Sequence, residues 1–164
     1  MSRPANVVHE DSLSWDEQSH GPHFAWRRKK LAIAGGGRKL GCSLYELSPG
    51  RRSWPYHYHC ANEEAIYVLG GNGTLRLAGQ EVPIAQGDYI ALPTGADHPH
   101  QIINTSDAPL RYLCFSTMIE PDISVYPDSN KFGLFAGAAP GAVQRTLTAY
   151  LPADAKVDYW EGEE

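Results

Sequence analysis

Glycine and proline punctuate this chain of 164 residues so evenly that no long regular element fits between them. Glycine occurs 16 times and proline 12 times, scattered rather than clustered. The intervening runs are short and rich in β-branched and aromatic residues, which is the texture of an all-β chain. They predict strands over Leu40 to Leu47, Ser53 to His59, Glu64 to Leu69, Thr74 to Leu77, Tyr89 to Leu92, Gln101 to Asn104 and Leu110 to Thr117. Turn signals such as SPG, GGNG, AGQ, AQGD, PTGAD and NTSDAP separate them. Seven short strands at this spacing imply a sandwich or a barrel. No stretch of helical period exceeds a few turns, and no internal repeat occurs.

The length suits one domain. Residues 1–22 read as a flexible N-terminal arm, residues 23–120 as the barrel core, and residues 121–164 as a C-terminal segment that packs on the barrel or on a partner subunit. Trp15, Trp26 and Trp160 lie in flanking segments and need burial, which points to a homodimer. The formal charge of -5 argues against nucleic acid or an anionic membrane as the main partner and leaves small molecules or proteins. The basic run Trp26-Arg27-Arg28-Lys29-Lys30 is one short island in an acidic chain and reads as a solvated face. Cys42, Cys60 and Cys114 form no CxxC pair, and the polar N-terminus has no apolar core of a leader, so a cytoplasmic setting is expected.

Chemistry concentrates in WPYHYHCANEEAIYVLGGNG, residues 54–73. Side chains alternate along an extended strand, so His57 and His59 face one way while Tyr56 and Tyr58 face the other. Two imidazoles then converge on one point. The CANE segment lets the chain turn back, and Glu64 opens a strand that can return its carboxylate to the pair. Imidazole and carboxylate ligands suit a divalent ion such as zinc, manganese, iron or nickel. A fourth ligand is expected from LPTGADHPHQIIN, which offers His98 and His100.

These residues resemble the cupin superfamily, small β-barrels of jelly-roll type. Its first motif is glycine, five residues, His-x-His, three or four residues, Glu, six residues, glycine. His57, His59, Glu64 and Gly71 fit, while Gly50 stands one residue too far upstream. Glu63 with Gly70 fits the three-residue variant. In the second motif Gly87, Pro93 and Gly95 match; counting forward selects His98, and counting back from Asn104 selects His100. Pro99 makes the backbone at His98 loop-like, which favours His100 as the ligand and puts His98 at the mouth. The resemblance covers roughly residues 40–117 and implies a cupin-type jelly-roll barrel with one divalent metal ion per chain, held by His57, His59, Glu64 and His100. The tail YPDSNKFGLFAG and the ending VDYWEGE resemble a group of small bacterial cupins, some labelled sugar-phosphate isomerases.

Three histidines and a glutamate leave about two positions open on a six-coordinate ion, as a catalytic site requires. The expected function is a metal-dependent isomerase, epimerase or lyase acting on a small oxygen-rich anion. His98, Glu63 or a tyrosine would move protons, and Arg51 and Arg52 would hold the anionic end. An Fe(II)-dependent dioxygenase and a non-catalytic small-molecule binding module are the alternatives, since one barrel hosts many chemistries.

Overall fold

The computed structural model describes residues 3–138 and 144–164. Its thirteen strands are β1 (Asp16–His20), β2 (Phe24–Lys29), β3 (Leu40–Leu47), β4 (Tyr58–His59), β5 (Glu64–Gly70), β6 (Asn72–Leu77), β7 (Gln80–Ala85), β8 (Tyr89–Leu92), β9 (His100–Ile103), β10 (Leu110–Thr117), β11 (Asp122–Tyr126), β12 (Lys131–Ala136) and β13 (Leu147–Pro152). One four-residue helix, Leu31–Ala34, follows β2. Among the described residues no helix is long and apolar enough to cross a membrane.

The strands form three sheets, ordered β1-β2-β3-β10-β5-β8, β7-β6-β9 and β13-β12-β11-β4. Alternation decides which face is buried. In β5, Ile66 and Val68 turn inward and are almost inaccessible, while Tyr67 and Leu69 are exposed. They meet Leu47 and Tyr45 of β3, Leu110 and Tyr112 of β10, Leu75 of β6 and Ile102 of β9 in one continuous apolar core. At about 25 cal/mol per Å² of apolar surface, this burial is the main favourable contribution to the barrel. Gly73 lets the walls approach closely: a β-carbon there would stand 2.7 Å from both the Ile103 carbonyl and the Leu110 side chain. Asn104 is fully buried and braces the turn before β10, donating to the carbonyls of Leu47 and Ala108 and accepting from Ser106.

The flanking segments are more ordered than their composition implies. Within the expected arm, residues 16–20 form β1 and pair in register with β2. The C-terminal segment supplies β11, β12 and β13, and β11 pairs with β4 through Ser124 opposite His59. It therefore packs on the barrel at the strand that carries the histidines. Trp26 is buried in the core. Trp15 is half-buried beneath Arg27 and Lys29, each 4.5 Å from its ring. Trp160 is 70% exposed, so its burial is not met within the chain.

Candidate metal centre

The histidine pair is positioned by backbone hydrogen bonds. His57 and His100 exchange both amide-to-carbonyl bonds, at 3.1 and 2.8 Å, as a directly opposed antiparallel pair. Opposed residues project to the same face. Their rings stand 4.8 Å apart, and the His57 and His59 rings 5.0 Å apart. Glu64, the first residue of β5, closes the group: its Oε2 is 3.2 Å from His100 Nε2 and 3.7 Å from His59 Nε2. Ligand atoms of His57, His59 and Glu64 all lie within 4.8 Å of one another.

The tautomers are set from behind. A carbonyl can only accept, so His57 donates Nδ1–H to the Pro55 carbonyl at 2.8 Å, and His100 donates Nδ1–H to the His98 carbonyl at 3.0 Å. His59 turns Nδ1 to the Asp122 carboxylate at 2.6 Å. Every imidazole therefore directs Nε2 into the group, the arrangement found around protein-bound metals, in which an outer acceptor fixes each ring. Two ligands each about 2.1 Å from one ion stand about 3.0–3.4 Å apart at ordinary coordination angles. The His100–Glu64 separation of 3.2 Å falls in that range, and the His59–Glu64 separation of 3.7 Å lies just above it. Three imidazole nitrogens and one carboxylate suit a borderline to hard divalent ion, so the residues fit one.

Electrostatics agree. Burial, then the neighbouring His100 and His59, push His57 down to about 3, which keeps its imidazole neutral near pH 7. Burial would lift Glu64, but the close approach of His100, with His59 and His57 beside it, outweighs burial and brings the carboxyl down to about 2. Burial likewise opposes a charge on His59, yet the Asp122 hydrogen bond, with Glu64 beyond, raises it. Asp122 is lowered in turn: its own burial is overcome by the bond with His59 and by backbone donation from Ala61 at 3.0 Å.

The group opens into a cavity of ≈ 340 Å³. Its walls carry Trp54, Tyr126, Phe135 and Tyr150, and also the cations Arg28, Lys30 and Arg145. Tyr126 stacks on His57 with ring centroids 5.8 Å apart. Burial and the nearby Tyr150 raise its phenol to about 12, so it stays protonated.

Four of the residues expected at the site do not line the cavity. Arg51 does not reach the cavity; its guanidinium donates outward to the Pro22 carbonyl. Arg52 is tied by its backbone into bridges with Phe24 and Ile103 and also lies off the cavity. Glu63 is exposed on the outer face, its amide donating to Thr117, because neighbouring strand residues face opposite ways. His98 sits in the turn with its amide bonded to the Gly95 carbonyl, and it contributes its carbonyl rather than its ring. His100 joins His57, His59 and Glu64. Asp122 carries no signal in the local sequence, since it stands 63 residues beyond the histidine it orients.

Residues 43–116 match the profile of a family described as the cupin domain. The barrel has the cupin fold. Among solved structures, a candidate sugar phosphate isomerase from Acidithiobacillus ferrooxidans is similar at 28% identity, covering 93% of this chain and 96% of its own, with a TM-score of 0.79. A cupin-superfamily protein from Silicibacter pomeroyi, described as a sugar phosphate isomerase, is 26% identical, covering 91% and 94% of the two chains, also with a TM-score of 0.79. An uncharacterized protein of Methanocaldococcus jannaschii is 37% identical over 60 residues, 37% of this chain and 46% of the relative. The chain spans about half the length of the curated relatives it matches, 46% and 55%.

Proposed function

We propose that this cupin is a metal-dependent isomerase, epimerase or lyase acting on a small oxygen-rich anion of the sugar-phosphate kind. The observation that carries the reading is the inward convergence of three Nε2 atoms and the Glu64 carboxylate, each fixed from outside, at the floor of a cavity of ≈ 340 Å³. A cavity of this size lies at the small end of ligand sites. Two solved relatives whose likeness extends over nearly the whole chain are described as a candidate sugar phosphate isomerase and a sugar phosphate isomerase, which supports the same class here.

One divalent transition ion per chain, when bound, would polarise a substrate carbonyl or acidify a hydroxyl. His57, His59, His100 and Glu64 would hold it. Tyr126, still protonated, offers a hydrogen-bond donor beside His57. Arg28, Lys30 and Arg145 favour an anionic substrate over a neutral one.

Metal analysis by mass spectrometry on tag-free protein purified without chelators tests the reading. About one zinc, manganese or nickel per chain, lost in His57→Ala and His59→Ala, is expected. Absence of any ion after reconstitution would overturn it. Stoichiometric iron together with oxygen consumption would replace the isomerase by a dioxygenase.

A further inference from the structure

The basic run 27–30 divides by strand alternation into two sets with different work. Arg27 turns to Glu46, at 2.9 Å through Nε, and Lys29 buries its ammonium against the Glu10 carbonyl at 2.9 Å. Both cover Trp15 on that side. Arg28 and Lys30 take the opposite side and line the cavity of the metal centre. Arg28 is held in place by several contacts. Its guanidinium lies 4.9 Å from the Trp26 ring and 5.7 Å from the Trp54 ring, and it bonds Asp16 at 3.0 Å. Asp16 also stands 3.6 Å from the Lys30 ammonium, which keeps the two cations together.

A third cation reaches the same cavity from a distant part of the chain. Arg145, just before β13, lies with its guanidinium 4.5 Å from the Phe135 ring and lines the wall. Asp16 balances one of the three positive charges, and Glu64 and Asp122 are committed to the histidine group. Two positive charges are left facing the cavity without a fixed anion among the described residues. A monoanion would neutralise half of this; a dianion matches it. Cations on separate walls also suit a tetrahedral group, whose oxygens diverge, better than a flat carboxylate.

We propose that Arg28, Lys30 and Arg145 form a dianion subsite that receives the phosphoryl end of a small phosphorylated polyol. This assignment rests on the reading of the cavity as the substrate site and places the polyol oxygens toward the metal centre. Because Arg28 is already oriented by Asp16 and two indole rings, little ordering is lost when the anion arrives.

The test is calorimetric titration of inorganic phosphate and of acetate into the full chain at low ionic strength, where screening is weak. Phosphate is expected to bind, acetate far more weakly. Lys30→Gln and Arg145→Gln should each weaken phosphate by about tenfold or more. Arg51→Gln with Arg52→Gln should leave it unchanged. Both target side chains are partly exposed, and melting curves of each variant establish that the fold persists. Phosphate binding must also survive in His57→Ala, which separates this subsite from an anion sitting on the ion itself. Equal affinity for acetate, wild-type affinity in both Gln variants, no phosphate binding, or loss of binding only with His57 would each overturn the assignment. A chain that takes up no metal yet binds phosphate through Lys30 and Arg145 would refute the metalloenzyme and leave the subsite standing.

Discussion

Asp122 is the side chain through which the C-terminal segment reaches the candidate metal centre, and Asp122→Asn isolates that contact. The carboxylate is 1% exposed and accepts two hydrogen bonds, from His59 Nδ1 at 2.6 Å and from the Ala61 amide at 3.0 Å. Asparagine has one acceptor oxygen. If that oxygen faces His59, the amide group opposes the Ala61 N–H and leaves a buried donor unpaired, at about 1–3 kcal/mol. If the amide faces His59 instead, the ring must accept at Nδ1 and carry its proton on Nε2, pointing into the cup. Either outcome should lower metal affinity about 10–100-fold, equivalent to about 1.4–2.7 kcal/mol. The pH dependence has a definite sign. Without metal, the Asp122 contribution to stability is present above its ordinary value of 3.8 and is lost as pH falls through its depressed folded value. The His59 contribution is present below 6.5 and is lost as pH rises through its raised folded value. Metal selects the unprotonated ring, so wild-type affinity should climb as pH rises through that raised value. In Asp122→Asn the climb should occur at lower pH, because the chief raising partner has lost its charge. Competition against a chromophoric chelator across a pH series measures both effects. Affinity within twofold of wild type, with an unmoved pH profile, would refute the reasoning.

Two further substitutions probe the architecture. His100→Ala should abolish stoichiometric metal, whereas His98→Ala should retain it, because His98 acts through its carbonyl; metal analysis of the paired variants decides, and the reverse result would place the ligand in the turn. Asn104→Ala removes a fully buried brace between Leu47, Ala108 and Ser106, and denaturant unfolding should show a loss of about 2–3 kcal/mol with metal content intact.

Where strong alternation meets clear turn residues, the elements were legible before any coordinates. Leu40–Leu47, Tyr89–Leu92 and Leu110–Thr117 form strands with the expected bounds. The stretch 53–59 was expected as one strand, but Pro55 cannot donate to a ladder, and only Tyr58–His59 is strand, with bridges at Arg52 and His57. Even so, residue parity placed His57 and His59 correctly on one face. Strands β1 and β7 escaped for opposite reasons. Every residue of β1 is exposed, so no apolar face marks it. Strand β7 contains Pro83, tolerated because it is the edge of its sheet. Composition alone reads the basic run as one solvated face because it averages over neighbours, while a strand sends alternate side chains to different environments. Of its cations, Lys29 is buried, and Arg28 and Lys30 face the cavity.

The division of the cavity between barrel and tail bears on how specificity is encoded. His57, His59, Glu64 and His100 all fall inside residues 43–116, the part matched by the cupin profile. Short-range spacing and one opposed pair suffice to assemble them, so a metal cup can recur across barrels of different activity. Asp122, Ser124, Tyr126, Phe135, Arg145 and Tyr150 lie beyond that part, yet they form one side of the cavity. Arg28 and Lys30 precede it. The walls of the cavity thus combine residues of the matched part, such as Tyr45, Trp54 and Tyr112, with residues from the segments on either side of it, and a likeness confined to the barrel speaks for only part of them. The two sugar phosphate isomerase structures cover 93% and 91% of this chain, flanking segments included. The likeness to them therefore extends to the segments that complete the walls as well as to the cup.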